Sequence, residues 1–504
     1  MKIVLAQSHK SWRFSVNPLV FPNGMLYCAA ALEQAGFEAA IVDPLPYDLS
    51  LEQTVSAIRQ QSPDIVGVYF TTDSRFRGFE LVKALKNNLK IPVMAGGPHP
   101  TLCPKNTMRH LPELDIIIQG EAEYSMVKIA EAIKNGEKDF SNIPNVCCRV
   151  NNKIIINTKR YYIPDLDTIP NPAYHLIPDF KVYNYVHTYN GEKRPAMNVF
   201  GGRGCPFGCI FCASTHFWQG KVRFRKIENI MEQIKLLNKQ YGIKHIGFFD
   251  ETFNLKKGRI LEFCDAIMKS GFDITWDCEI RADDVDREML KTMKESRCTY
   301  VCFGIESADD YIRNKVIGKK ISDEKIIEVD RICYELGLTS EVNLMVSFPD
   351  EDYKMADKTF KLVTKLKSKC HIQPTRIYPG TDLEKIAKER RIIPKDFDWG
   401  DPMAHKKYGP FYLPGILGDY PLYLEKLSVP YIAERLFSIT QSGRWGMDKE
   451  KLTLFVMLKR YLSEINHYRD LIMLFLMGIG FIKYKVKNIL PRNIPDDEVT
   501  KTKL

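Results

Sequence analysis

The sequence predicts an α/β protein: an N-terminal doubly wound parallel sheet, then an incomplete barrel of six strand–helix units, then a helical C-terminal region. Three observations carry that expectation. Short β-branched runs alternate with segments long enough for crossover helices over the first 140 residues, a proline-rich stretch breaks the rhythm, and a second alternation runs from residue 196 to about 395. At 504 residues the chain can bury several cores, and about 150 residues per domain suggests three.

The first alternation reads KIVLA, AAIVD at 39–43, DIVGVYF at 64–70, IPVMAGG at 91–97 and LDIIIQG at 114–120. Strands so separated form a parallel sheet with helices on both faces. Ligands of such sheets bind beyond the carboxyl ends of the strands, here after Ala6, Phe70, Ala95 and Ile118. The loops there carry Thr71, Thr72, Gly96, Gly97, Pro98, His99, Gly120 and Glu121. No G-x-G-x-x-G follows any of these strands, which disfavours a nicotinamide cofactor. Residues 141–195 hold a hairpin-like NVCCRVNNKIIIN and the proline-rich YYIPDLDTIPNPAYHLIP, a linker between domains.

The second alternation reads AMNVFGG, HIGFFDE (245–251), ITWDCEIR (274–281), YVCFGIES (300–307), EVNLMVSFP (341–349) and HIQPTRIYP (371–379). Six units suit a partial barrel better than an eight-fold one. Functional residues of barrels sit at carboxyl strand ends, where Cys205, Asp250, Glu251, Glu306 and Ser307 fall. The expected domains are therefore 1–140, a hairpin and linker over 141–195, the partial barrel 196–395 and a helical domain 396–504.

In that last region KLTLFVMLKRYLSEI and RDLIMLFLMGIGFIKYKVK read as helices. The apolar run from Leu471 to Ile482 is too short to span a bilayer. With Lys483, Lys485 and Lys487 behind it, it suits a membrane interface, although a buried helix or dimer contact is the preferred reading. Lys plus Arg exceed Asp plus Glu by 72 to 62, a mild basic bias that does not call for nucleic acid. MKIVLAQ leads straight into a strand pattern with no signal-peptide h-region, so a cytoplasmic, at most membrane-associated, location is expected. Thirteen scattered cysteines argue for free thiols and metal ligands over a disulfide framework.

The densest motif is NVFGGRGCPFGCIFCASTHFWQG, residues 198–220. Structural zinc wants four protein ligands, and no second CxxC pair follows. A cubane iron–sulfur cluster held by Cys205, Cys209 and Cys212 would leave one iron open to an external ligand. Gly201, Gly202, Gly204 and Gly208 let the loop fold closely around a bulky inorganic core.

The cysteine spacing, Phe211 before the third thiol, and FFDETF, GIES, MVSFPDE and YPGTDL at later strand ends closely resemble the radical S-adenosylmethionine (SAM) enzymes. NGMLYCAAALEQAGFEAAIVD, VMAGGPHPT and DIIIQGEAEYS resemble the Rossmann-like B12-binding domain of the cobalamin-dependent branch, whose methyltransferases form class B. The resemblance covers about residues 1–385. It implies a [4Fe-4S] cluster on Cys205, Cys209 and Cys212, and SAM contacts from Phe211, Asp250, Glu251, Arg281 and Glu306. It also implies cobalamin contacts from Thr71, Thr72, Gly96, Gly97, His99, Gly120 and Glu121. Arg281 is expected to meet the SAM carboxylate or pair with Glu306, and His216 and Trp218 to border the barrel mouth. Two departures stand out: Asp250 and Glu251 replace the glycine-rich form of many members, and the D-x-H-x-x-G that delivers a histidine to cobalt is absent. The nearest string, DSRFRG, has Arg75 in the histidine position.

The implied function is a C-methyltransferase in which a 5′-deoxyadenosyl radical activates an unreactive carbon, methylcobalamin supplies the methyl group and a second SAM remethylates the cobalt. No paired catalytic acid and base is required, and no such residues are assigned. A cobalamin-dependent radical cyclase is the alternative, and a cluster- or cobalamin-based redox sensor is the alternative of another class. The expected partners are a small-molecule substrate, such as a lipid or tetrapyrrole, and an external electron donor.

Overall fold

The computed structural model describes residues 1–8, 21–183, 185–402 and 420–441, together with Phe475, Gly478, Ile479 and Ile482. The helices expected over 451–465 and 469–487, with Lys483, Lys485 and Lys487, otherwise lie outside the described residues. Among the described residues no helix is long and apolar enough to cross a membrane.

The first sheet contains β1 (Lys2–Gln7), β2 (Glu38–Val42), β3 (Ile65–Tyr69), β4 (Val93–Gly96), β5 (Ile116–Ile118), β6 (Val146–Val150) and β7 (Lys153–Ile156), in the order β2-β1-β3-β4-β5-β6-β7. The first five strands pair in parallel, and the 146–156 hairpin closes the edge in antiparallel. Its turn uses Asn151 and Asn152 at φ 47° and 61°, the left-handed pair that a two-residue hairpin asks for. The expected hairpin thus forms, and it belongs to the first sheet. Side chains alternate between two apolar cores: Ile3 and Leu5 pack with Met25 and Ala29, whereas Val4 and Ala6 pack with Ile58 and Leu81. A sheet covered on both faces can offer a ligand only its ends.

The second sheet opens with β8 (Val186–Tyr189) and β9 (Glu192–Val199), an antiparallel pair. A short ribbon follows, β10 (Gly202–Arg203) against β11 (Arg223–Phe224). Then come β12 (His245–Phe248), β13 (Thr275–Ile280), β14 (Cys298–Glu306), β15 (Thr339–Val346) and β16 (Lys369–Pro374). The order β16-β15-β14-β13-β12-β9-β8 places six parallel strands side by side in chain order, the expected partial barrel. Only its outer face is apolar. Trp276, Phe303, Val342 and Ile372 pack against helices such as Ile227–Tyr241 and Lys257–Ser270. The alternate positions Asp277, Glu279, Tyr300, Cys302, Glu341, Asn343, His371 and Gln373 line the inner face. Beyond residue 395 the described elements include a bridge from Leu422 to Arg376 and the helix Val429–Gln441, and Phe475, Gly478, Ile479 and Ile482 are helical as well.

Candidate active site

The three-thiol loop is pinched off at its neck by the β10–β11 ribbon, in which Arg203 lies across from Arg223. Gly204, at φ 97°, is required here because a Cβ would overlap the Lys221 carbonyl. Cys205, Cys209 and Cys212 are half-buried, and all thirteen cysteines are free. The turn closes with the Cys212 amide on the Cys209 carbonyl at 3.0 Å, and Gly208 faces open space. Burial pushes the Cys209 thiol up to about 11 and raises that of Cys212, so neither ionises readily without a cation beside it. Three soft sulfur donors on one loop, with open space at Gly208, fit an iron–sulfur cluster.

Asp250 and Glu251 follow β12 and brace that loop. The Gly201 amide donates to Asp250 Oδ1 at 2.7 Å, and the Gly204 amide donates to Glu251 Oε2 at 3.1 Å. The Trp218 indole also donates to Glu251, so both carboxylates are committed to the cysteine segment. Burial raises Asp250 to about 7, well above an ordinary carboxyl, against the pull of the Gly201 bond.

Glu306 ends β14 in the left-handed region, φ 64°, at a register shift against β15. It accepts from Lys319 Nζ at 2.6 Å, and both side chains are buried. Arg281 does not pair with it. Its guanidinium grips Asp283 at 2.7 Å, donates to the Lys319 carbonyl at 2.8 Å, and lies 3.6 Å over the Phe207 ring inside the cysteine loop. The local reason is reach: Asp283 is two residues away, and the Asn254 side chain clamps the Arg281 backbone from both sides at 2.7 and 2.8 Å. Phe211 packs edge-on to Phe348, centroids 5.8 Å apart, beside Met345 and Ile312. Ser307 is fully buried and caps the Asp309 amide. His216 lies 3.9 Å from Asp382 near the mouth.

Two residues here escaped the sequence reading. Lys319, in NKVIGKK, is brought to Glu306 by a π-helical turn over Tyr311–Val316, which no periodicity announces. Glu351 caps the turn after β15 by accepting from the Ser347 and Phe348 amides, and burial raises it to about 7. The PDE in MVSFPDE was its only signal.

The inner face of the barrel continues the site. Asn343 donates to Cys302 Sγ at 3.1 Å, and burial beside Cys302 and Glu341 raises the Tyr300 hydroxyl. Burial and the neighbouring Asp277 raise Glu279. At the amino end of the strands His245 bridges Thr275, 2.9 Å, and Asp277, 2.7 Å, while His187 stacks on it at 3.8 Å. This hydrogen-bonded cluster lies at the strand ends opposite the cysteines.

At the first sheet's carboxyl end, Thr71 holds Ser74 and Asp73, and Thr72 Oγ1 sits 3.3 Å from His99 Nδ1. His99 is fully enclosed beside Phe70 and Phe79, so it is part of the wall and not a free ligand of a metal. Gly97, at φ 106°, leaves no space for a side chain against the Phe70 carbonyl and the Tyr69 ring. Gly96 next to it faces open space, and Gly120 has only Arg160 nearby. Ser8 Oγ, His99 Nε2 and Gln119 Nε2, beyond β1, β4 and β5, are buried with no partner among the described residues. Orphaned polar atoms around small residues fit a large, polar-edged ligand laid across these ends. Glu121 faces elsewhere: it accepts from Arg203 at 2.8 Å, Arg223 at 2.6 Å and the Ile163 amide at 2.8 Å. The ion pairs join the two strand-end regions directly.

Comparison with known proteins follows the same division. Residues 199–363 match the radical SAM superfamily, and residues 13–130 match the B12 binding domain. The chain is 32% identical over 374 residues to an uncharacterized methyltransferase of Pyrococcus horikoshii, covering 74% of this chain and 79% of that one. It is 25% identical to the anaerobic magnesium-protoporphyrin IX monomethyl ester cyclase of Rubrivivax gelatinosus, over 68% of this chain and 61% of that one. Among solved structures it resembles the radical SAM methyltransferase TsrM of Kitasatospora setae, solved with cobalamin and a [4Fe-4S] cluster. That match has a TM-score of 0.68 at 15% identity, and covers 97% of this chain and 99% of that one.

Proposed function

This chain belongs to the radical SAM superfamily, in the branch that carries a B12-binding domain, and from that premise we propose that it is a cobalamin-dependent C-methyltransferase. One observation carries the reading. The three-thiol loop at the mouth of the barrel is ion-paired, through Arg203 and Arg223, to Glu121 at the carboxyl end of the B12-binding sheet.

Cys205, Cys209 and Cys212 hold the [4Fe-4S] cluster, and Thr71, Thr72, Gly96, Gly97 and Gly120 border cobalamin. When bound, the cluster with SAM supplies a radical able to take hydrogen from an unactivated carbon, and cobalamin supplies the methyl group. The rest is the work of side chains. Asp250 and Glu251 hold the cysteine loop through its amides. Glu306, held by Lys319, would accept from SAM hydroxyls, and Phe211 would contact the adenine. Arg281, already bound to Asp283, stiffens the loop from Phe207 and offers its charge near the SAM carboxylate. The substrate is a small molecule that enters the chamber, where Glu279, Tyr300, Glu341 and Asn343 give it hydrogen-bonding partners. An external electron donor completes the system. Among substrates, a tetrapyrrole agrees with the cyclase relative, and a lipid agrees with the apolar C-terminal run.

The test is anaerobic turnover of reconstituted protein with methyl-labelled SAM and cobalamin, offered host small-molecule and lipid extracts. Label in a product is expected. Deoxyadenosine formation without label transfer would reject methylation in favour of cyclase-type chemistry, and no SAM cleavage at all would favour a sensor.

A further inference from the structure

We propose that Glu121, supported by Glu123, is a positioning residue that sets the B12-binding sheet against the neck of the cysteine loop and so keeps radical formation coupled to methyl transfer. The inference rests on the function proposed above.

Arg203 and Arg223 sit in register across the β10–β11 ribbon, one two residues before Cys205 and the other beyond Cys212. Two guanidinium groups directly opposed on a two-residue ribbon would push the neck open. Glu121 prevents that from outside the barrel: Oε1 takes Arg203 Nη1 at 2.8 Å and Oε2 takes Arg223 Nη1 at 2.6 Å. Glu123 Oε1 takes the second Arg203 nitrogen at 2.6 Å, so two anions meet two cations. The Ile163 amide adds a bond to Glu121 Oε2 at 2.8 Å. Aromatic faces fix the guanidinium planes, Tyr27 at 5.3 Å from Arg203 and Tyr162 at 5.3 Å from Arg223. The Glu121 side chain is 2% exposed and each arginine 11%, so solvent and salt do not screen the network.

Its place in the chain gives the network its purpose. Glu121 directly follows Gly120 at the carboxyl end of β5, on the side where the first sheet meets its ligand. One carboxylate therefore touches both sides of the thiol loop from the rim of the other site. A glutamine there would accept through one atom only and present an amide donor to the second arginine. The neck would lose one of its two ties while the fold of each sheet remained.

The experiment uses the full chain carrying Glu121→Gln, reconstituted with cluster and cobalamin. Iron and cobalamin contents should match the unsubstituted protein. The magnetic interaction between the reduced cluster and cob(II)alamin, read by electron paramagnetic resonance, should change. SAM cleaved per methyl transferred should rise by about tenfold, equivalent to ~1.4 kcal/mol of lost alignment. Should Glu121→Gln fail to fold, Glu123→Ala removes one of the two carboxylate partners of Arg203 and should move both readouts in the same direction by less. An unchanged magnetic interaction and an unchanged ratio would overturn the proposal, even if total activity fell. Lost iron or lost cobalamin would overturn it too, by reducing the contact to fold support. If the unsubstituted protein itself bound no cobalamin, the proposed function would fail first, which keeps the two failures distinct.

Discussion

The two parallel sheets share a strand-by-strand logic and differ in how many apolar faces they have. Every buried strand of the first alternates between two hydrophobic cores, as Ile3 and Val4 do. Strands of the second alternate between one core and a row of polar groups, as Trp276 and Asp277 do. A sheet sandwiched by helices is a platform that can work only at its ends, and those ends are small and mostly uncharged: Thr71, Gly96, Gly97, Gly120. A sheet with a polar inner face is a chamber. Its rim carries interlocked charges, Glu306 with Lys319 and Arg281 with Asp283, that can be held only because neighbours satisfy them. The first suits a broad ligand laid flat, and the second suits ions and the polar part of a substrate held in depth.

Breaking the chamber should have the largest effect. Replacing Cys205, Cys209 and Cys212 together by alanine should abolish iron binding, the roughly 400 nm absorbance and all turnover, while cobalamin still binds the other sheet. Retention of the absorbance would contradict the assignment. Breaking the platform should do the reverse: Gly96→Val has open space for its side chain, so the fold tolerates it. Titration should find cobalamin affinity about tenfold or more weaker, the equivalent of ~1.4 kcal/mol, with iron unchanged. Equal affinity would mean that the ligand lies elsewhere.

Subtler substitutions sharpen the contrast at the rim. Glu306→Gln keeps the shape but gives up the ion pair with Lys319. The KM for SAM should rise by about tenfold with the cluster intact, the scale of a lost charged hydrogen bond. The smallest effect concerns pH. Asp250, raised by burial to about 7, takes up a proton in the folded chain between about pH 4 and 7 that the unfolded chain does not take up. Its contribution to stability is therefore present at the acidic end of that window and is lost as pH rises through it. Melting of the apoprotein should show this loss, and Asp250→Asn should flatten that part of the profile. Identical slopes would show that Asp250 is not buried in its acid form.

Much of this contrast was legible in the sequence. Strand alternation, the six-fold count and the three-thiol loop depend on local pattern, and the structure has strands at the segments where that pattern puts them. The charges were legible only as types. Glu306, Arg281 and Glu121 were singled out, but their partners Lys319, Asp283, Arg203 and Arg223 depend on a π-helical turn, a clamped backbone and a two-residue ribbon. None of these has a periodicity to read. Pairings that span 82 and 102 residues, those of Glu121 with Arg203 and Arg223, arise from packing between sheets and leave no mark in either segment.

If platform and chamber serve one methyl transfer, the stoichiometry of the products will show it. In anaerobic turnover with cobalamin, 5′-deoxyadenosine and S-adenosylhomocysteine should accumulate in equal amounts, since one SAM makes the radical and another restores the methyl group. Withholding cobalamin should leave deoxyadenosine formation in place and remove the S-adenosylhomocysteine. Deoxyadenosine produced with no S-adenosylhomocysteine while cobalamin is bound would mean that the two sheets do not serve one methyl transfer.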